Sequence, residues 1–324
     1  MSGDADARLR RHFTHVQLIA GGIGGTAGVV ATCPLDVVQT RLQSTTVKIR
    51  RTHSNLAGVG LVNGMDVNMS SRPFSGGIFS YMRFIVKTEG LTALYKGLGP
   101  NLVGVAPSRA IYFAVYSKTK NFLGMAGPLS TSSPIVHMLS ALTASLSTST
   151  LTNPIWFIKT RLQLDFRSTG VRRKIESLVK EVYRKDGIRG FYRGLTASYA
   201  GASETVLYFV AYERAKETLA KFRNVSYEEL NSFDHIMGAG ISKFFATASV
   251  YPHEVARTRM RQQLYHPDGR DLYTGFFQTL KKVYREEGRP GLYGGMGAHL
   301  LRQVPNTVIM FVTYEAVVKF LSNL

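Results

Sequence analysis

The sequence predicts an all-α membrane protein made of three like repeats, and three observations carry that prediction. A short stretch occurs three times, as Pro34-Leu35-Asp36-Val37-Val38-Gln39-Thr40-Arg41, Pro154-Ile155-Trp156-Phe157-Ile158-Lys159-Thr160-Arg161 and Pro252-His253-Glu254-Val255-Ala256-Arg257-Thr258-Arg259. Residues 104–117, 200–213 and 302–315 align without gaps, in the same cyclic order. Finally, a mean hydropathy of −0.02 is too polar for a bundle that is apolar on every side. It suits spanning helices that each turn one face to water. A length of 324 residues alone suggests two domains, but an internal repeat outranks that prior.

Residues 1–14 are expected to form an N-terminal tail. It mixes Asp4 and Asp6 with Arg8, Arg10 and Arg11 and has no apolar stretch, so it reads as no secretory signal and at best a poor mitochondrial presequence. Repeat one covers 15–124. Its first helix, 15–43, carries no charge between His15 and Pro34, and it pairs Gly21 with Gly25 and Gly24 with Gly28 for close helix contact. A polar, aperiodic stretch at about 44–73, with Gly58, Gly60 and Gly64, reads as a loop insertion. Residues 74–87 put Ile78, Phe79, Met82, Ile85 and Val86 on one side and Arg83 and Lys87 on the other, the pattern of a helix lying in the membrane interface. Glu89-Gly90 and Tyr95-Lys96-Gly97 follow, and then a second spanning helix at about 99–122.

Repeat two, 133–222, has the same order. It comprises a helix at 135–163 with Ser140, Ala144 and Thr148 in step, an amphipathic segment at 174–184, Asp186-Gly187, Phe191-Tyr192-Arg193-Gly194 and a helix at 196–222. Repeat three, 233–324, comprises 237–263, 276–284, Glu287-Gly288, Tyr293-Gly294-Gly295 and a helix at 298–321.

The formal net charge of +19, from 40 Lys and Arg against 21 Asp and Glu, requires an anionic partner or surface. Phosphorylated substrates, anionic lipids and nucleic acid all satisfy it. The single cysteine, Cys33, excludes intrachain disulfides and a cysteine-based zinc cluster. Neither a nucleophile–base constellation nor a metal-ligand cluster is apparent, and Gly21-Gly22-Ile23-Gly24-Gly25 lacks the βαβ context of a dinucleotide site. The expectation is therefore a protein that is not an enzyme and holds no cofactor and no metal. In each proline motif the third and sixth residues lie three apart on one helix face. A proline there removes a backbone hydrogen bond and kinks the helix, so three kinked ends can converge on one side of a pore.

The signature Pro-x-acid-x-x-base-x-base, then acid-Gly, then aromatic-base-Gly, resembles that of the mitochondrial carrier family over essentially the whole chain. The resemblance implies six tilted transmembrane helices and three short matrix helices around a central cavity, in a monomer of the mitochondrial inner membrane that works by alternating access. It implies a matrix gate in which Asp36 meets Lys159, Trp156 stands where an acid would face Arg257, and Glu254 faces the neutral Gln39, leaving one full ion pair. Gln43 and Gln163 match the family's bracing glutamines, and Arg261 stands in the third place. The cytoplasmic gate is similarly thin. Tyr116-Ser117 with Lys120 lacks the acid, Tyr212-Glu213 with Lys216 is complete, and Tyr314-Glu315 meets Val318, leaving Glu315 with Lys120 as the expected pair. Cardiolipin is the implied lipid at Tyr95-Lys96-Gly97 and Tyr192-Arg193-Gly194, while Gly294 replaces the base in repeat three. Lipid-facing and matrix basicity then accounts for much of the charge, without a nucleic acid polymer.

Asn153-Pro154-Ile155-Trp156, its continuation to Asp165 and Ser203-Glu204-Thr205 resemble the carriers of nucleotides and nucleotide-like cofactors, most of all the pyrimidine nucleotide carriers. Trp156 as simple packing is the alternative. Substrate contacts are implied at two levels of the even helices: Gly104, Ala200 and Arg302 with Gly201 and Gln303 beside them, then Ser108, Glu204 and Asn306 with Arg109 and Thr205. A charge at mid-membrane depth is costly unless it faces a cavity, which also singles out Lys243. Arg302 and Arg109 suit forked bonds to phosphate, and Gly201 and Ala200 leave room for a flat base. Glu204 either accepts from the base or pairs permanently with Arg109 or Arg302. Lys243 either meets substrate or joins two helices. The expected function is exchange of pyrimidine nucleotides. A carrier of NAD, flavin or folate-type cofactors is the alternative, and a soluble helical-repeat module is the reading the uncharged glycine-rich helices oppose.

Overall fold

The structure, a computed structural model, describes residues 2–44, 47–50, 66–69, 77–126, 133–165, 175–225, 231–262 and 272–322. Repeat one contributes α1 (Ser2–Gln43), a short antiparallel pair β1 (Val47–Arg50) and β2 (Asp66–Met69), α2 (Ile78–Glu89) and α3 (Leu98–Ala126). Repeat two contributes α4 (Pro134–Gln163), α5 (Ile175–Asp186), α6 (Leu195–Gly201) and α7 (Ser203–Arg223). Repeat three contributes α8 (Ser232–Val250), α9 (Pro252–Gln262), α10 (Phe276–Leu292) and α11 (Met296–Ser322). With 30 residues, α4 is about 45 Å long, enough to cross a bilayer core of about 30 Å at a tilt. By length and composition, the described segments 20–43 and 296–321 are each apolar enough to do so. Neighbouring repeats join through α3 against α4 and α7 against α8, and α1 against α11 closes the ring.

Glycine sets the threefold geometry at the end of the bundle that holds the proline motifs. Among the described residues six glycines have positive φ, in two matched sets: Gly90, Gly187 and Gly288 after the acids, and Gly97, Gly194 and Gly295 before the even helices. A side chain in the second set would meet the next repeat's odd helix. At Gly97 it would lie 3.1 Å from the Lys159 carbonyl oxygen, at Gly194 3.1 Å from that of Arg257, and at Gly295 2.9 Å from that of Gln39. The last base of each proline motif completes the same cycle. Arg41 donates to the Gln163 carbonyl oxygen at 3.0 Å, Arg161 to that of Gln262, and Arg259 to that of Gln43 at 2.9 Å. Arg41 also forks onto Glu89 at 2.6 and 2.9 Å, and Arg259 forks onto Glu287, tying the odd helices of repeats one and three to the interfacial helices of their own repeats. Burial by itself raises the Glu89 carboxyl, but hydrogen bonds from Arg41 and Lys96 outweigh it and hold the group below its ordinary range.

A small apolar core lies under each interfacial helix. Under α2 it is Val38, Ile85, Ala93 and Leu94, with Ala298 arriving from repeat three. Phe157, Leu178 and Val182 form the equivalent under α5, and Tyr251, Val255 and Val283 under α10.

The fold departs from the sequence reading in five places. The 1–14 tail is helical from Ser2 and continuous with α1. Within the insertion, β1 pairs with β2 from Val47 opposite Met69 to Arg50 opposite Asp66, and β-branched Val47, Ile49 and Val67 favour extended backbone. Phe79 points outward, 72% exposed, and Tyr81 packs on the core beside Ile78 and Met82. The helices themselves run on through Pro34 and Pro154, and only the third odd helix is interrupted, at Tyr251. There the His253 ring takes the Val250 carbonyl at 2.6 Å, a side-chain substitute for a backbone donor. The even helix of repeat two breaks at Ala202, next to Ser203, whose counterparts Pro107 and Pro305 lie inside unbroken helices.

Candidate functional site

The proline motifs converge on a cavity of about 420 Å³. Its floor is a polar network drawn from all three repeats. Asp36 on α1 accepts from Lys159 on α4 at 2.7 Å, from Gln163 Nε2 at 2.7 Å and from Arg302 on α11 at 3.2 Å. Gln163 in turn accepts from Thr40 Oγ1 at 2.8 Å, so Asp36 is held on three sides.

The other two junctions carry no cross-repeat ion pair between the motif residues. Trp156 stands opposite α9 and donates from Nε1 to Thr152 Oγ1, one turn back on its own helix, at 2.9 Å. Arg257 consequently pairs with Glu254 of its own helix, and Glu254 also meets His253 at 3.4 Å. Arg261 crosses to repeat two and donates to Asn153 Oδ1 at 2.8 Å. At the remaining junction Gln39 turns to His299 Nδ1 at 3.0 Å, and Gln303 meets the other nitrogen of that ring at 2.8 Å. Gln43 accepts from Thr258 at 2.8 Å and donates to Tyr251 Oη at 3.0 Å, and Tyr251 donates to the Gly294 carbonyl oxygen at 3.0 Å.

Of the substrate positions read from the sequence, Ser108 and Arg302 line this cavity. Gly104 instead lets α3 approach α4: a side chain there would lie 3.0 Å from Ile155 and 3.4 Å from the Trp156 indole. The room expected at Gly201 is filled by the buried His253 ring. Ala200 belongs to a separate pocket of about 610 Å³, lined by Arg189, Arg193, Gly194 and Gly275. Glu204 pairs with neither Arg109 nor Arg302. It accepts from Lys243 at 2.7 Å and Thr247 at 2.8 Å, joining α7 to α8. Arg109 lies over Gly25 of α1 and donates to Met310 Sδ at 3.4 Å. Asn306 packs on Gly28, with its Oδ1 3.4 Å from Thr32 Oγ1, and the Thr205 backbone N–H donates to the Ala202 carbonyl across the break in that helix.

At the opposite end, Lys120 and Glu315 do not meet. Glu213 pairs with Lys216 of its own helix at 2.9 Å, and the Lys216 ammonium lies 4.6 Å from the Tyr212 ring centre. Tyr116 and Tyr212 hydrogen-bond His137 and His235 on the next repeat's odd helix, at 2.5 and 3.2 Å. These histidines, with His253, His299 and Tyr251, escaped the sequence reading. The one available signal was that His137 and His235 occupy matching positions of their repeats. Among the described residues no His, Cys, Asp and Glu side chains cluster as metal ligands.

Comparison with known proteins agrees with this architecture. A family model described as "Mitochondrial carrier protein" matches residues 10–127, 130–223 and 228–324. The chain is 49% identical to chicken (Gallus gallus) solute carrier family 25 member 36, over 97% of the chain and 100% of the relative. It is 44% identical to human (Homo sapiens) solute carrier family 25 member 33, over 97% of each. A Saccharomyces cerevisiae protein named mitochondrial pyrimidine nucleotide transporter RIM2 is 40% identical over 95% of the chain and 86% of its own length.

Proposed function

Since the chain belongs to the mitochondrial carrier family, we propose that it exchanges pyrimidine nucleotides across the mitochondrial inner membrane by alternating access. The observation that carries this reading is the cavity floor, which combines one indole, Trp156, with the cations Lys159, Arg257 and Arg302. An aromatic face suits a base, and forked guanidinium donors suit a phosphate tail. Arg302 is the best-equipped phosphate ligand: only NH1 reaches Asp36, while its buried Nε has no hydrogen-bond partner. The name of the yeast relative agrees with the same substrate class.

The network around Asp36 fits a closed matrix gate, and the unjoined Lys120 and Glu315 fit an open cytoplasmic side. Each gate must gain contacts in one state and lose them in the other, since only such a difference lets substrate shift the equilibrium. Phosphate bound at Arg302 would compete for the cation that Asp36 holds, and that competition would couple occupancy to gate release.

The pocket at Arg189, Arg193, Gly194 and Gly275 fits a cardiolipin headgroup. It sets two arginines beside Gly275, whose carbonyl opens α10, and an anion there meets free backbone N–H groups. Exchange as a monomer is part of the same reading.

The test is nucleotide exchange in proteoliposomes with UTP, CTP, ATP and NAD as competitors. Preference for UTP and CTP is expected, and preference for NAD would replace this function with cofactor transport. Arg302→Ala should abolish uptake. Arg302→Lys, which keeps the charge and loses the fork, should weaken triphosphate binding by about tenfold. Full uptake by Arg302→Ala would remove that residue from the site.

A further inference from the structure

The cavity has two unlike walls. One is charged, with Asp36, Lys159, Glu254, Arg257 and Arg302. The other lies where α3 meets α4 and, apart from Lys159, whose ammonium lies 5.4 Å from the Trp156 ring centre, is uncharged: Asn101 and Ser108 from α3, and Thr148, Ser149, Thr152 and Trp156 from α4. On this neutral wall, Ser108 Oγ and Thr148 Oγ1 are buried hydroxyls with no hydrogen-bond partner. Native structures rarely leave buried polar atoms in that condition, and an unmet pair on two residues lining one cavity calls for a ligand that draws them out. Their neighbour does not share it, since Thr152 gives its proton to the Thr148 carbonyl at 2.8 Å and accepts the Trp156 indole at 2.9 Å. That fixes the indole between Thr152 and the close approach at Gly104, so the wall presents a held aromatic plate beside two unused hydroxyls.

We infer that Ser108 and Thr148 read the 4-position of a pyrimidine base, with the ring lying along Trp156 and the phosphates turned to the charged wall. A serine or threonine hydroxyl can rotate to donate or to accept. It therefore serves the 4-keto oxygen of uracil, which accepts, and the 4-amino group of cytosine, which donates. A wall of hydroxyls thus recognises both pyrimidines while demanding that the 4-substituent exist. This assignment rests on the proposed nucleotide exchange and refines it. The base is read chiefly on α3 and α4, whereas Ala200, Gly201 and Glu204 on the even helix of repeat two face other partners.

The experiment pairs a deletion in the ligand with a deletion in the protein. The probe is the pyrimidin-2-one ribonucleoside triphosphate, which is CTP without its 4-amino group, measured as an inhibitor of CTP exchange in proteoliposomes. Against the native protein it should bind at least about fivefold more weakly than CTP, the size of one lost hydrogen bond. In Ser108→Ala with Thr148→Val that gap should shrink to within about twofold, because the partner it depended on is gone. The ratio of UMP to UTP binding should stay unchanged, since that ratio reports the phosphate wall. Thr148→Ser alone should keep the gap, which separates recognition from packing.

Equal binding of probe and CTP by the native protein overturns the inference without any variant. A gap that persists in the double variant overturns it as well. Failure of the native protein to exchange any pyrimidine nucleotide would instead overturn the function on which it rests.

Discussion

Trp156 decides the character of one third of the proposed gate by what it fails to offer. An acid at that place would give Arg257 a partner across the repeat junction. With an indole there, Arg257 pairs with Glu254 three residues back on its own helix, which contributes nothing to holding two repeats together. Trp156→Asp should draw Arg257 across to α4 and add a cross-repeat pair that must break in each cycle. A partly buried pair contributes about 1–3 kcal/mol, so exchange should slow by about fivefold or more. Initial rates in proteoliposomes measure this, and an unchanged rate would mean that gate opening does not limit the cycle. The same scale shows where sequence reading stops. Proline, acid and base positions were legible because repetition fixes their register, and Asp36 does meet Lys159 at 2.7 Å. Gly201 was misjudged because a missing side chain marks available space only until a neighbour fills it. The neighbour, His253, sits in a different repeat, at a distance along the chain that no local pattern encodes.

At the scale of an element, the interfacial helices α2 and α10 are each held by one carboxylate under a guanidinium of the odd helix, and Glu89 shows what that arrangement implies for pH. Its folded carboxyl is depressed, so the stability it supplies is full above the unfolded value of about 4.3. That stability is lost as pH falls through the lower folded value. Thermal unfolding in detergent should therefore show a loss of stability beginning below about pH 4.3 that Glu89→Gln lacks. At neutral pH that variant should be less stable by about 3 kcal/mol, because Arg41 is left buried without its carboxylate. Equal neutral-pH stability of variant and native protein would show that the fork onto Glu89 is dispensable. The glycines make a parallel argument. Gly194 has φ +82 and lies against the Arg257 carbonyl, so Gly194→Ala combines backbone strain with a repeat-junction clash. A loss of about 1–2 kcal/mol is expected from the backbone alone. The aromatic-base-Gly turn announced such a glycine in the sequence, but not that its carbonyl neighbour would come from the next repeat.

For the whole molecule, closure of the floor is a cyclic problem in which three junctions use different chemistry. Two are neutral or polar: Arg261 with Asn153, and Gln43 with Thr258 and Tyr251. The remaining junction alone carries a cross-repeat ion pair of motif residues, and it is reinforced by Gln163 and by Arg302. The energy that keeps this end shut is therefore concentrated in one sector, while the guanidinium-to-carbonyl cycle of Arg41, Arg161 and Arg259 keeps the three odd helices in register. Exchanging the two charges should separate attraction from position. Asp36→Lys alone sets a lysine against Lys159 and Arg302 and should abolish exchange, and Lys159→Asp alone should do nearly the same. Combining them restores the pair across the junction but leaves the new lysine beside Arg302. Exchange should return only in part, about tenfold below the native rate if one like-charge contact costs about 1.4 kcal/mol. Adding Arg302→Gln to the double variant should remove that repulsion without restoring transport, because the proposed phosphate contact is lost with Arg302. Cysteine cross-linking across the closed end then distinguishes the two defects: the triple variant should regain closure and still fail to move nucleotide. If the triple variant neither closes nor transports, the floor is not held by this sector, and the two polar junctions carry the gate.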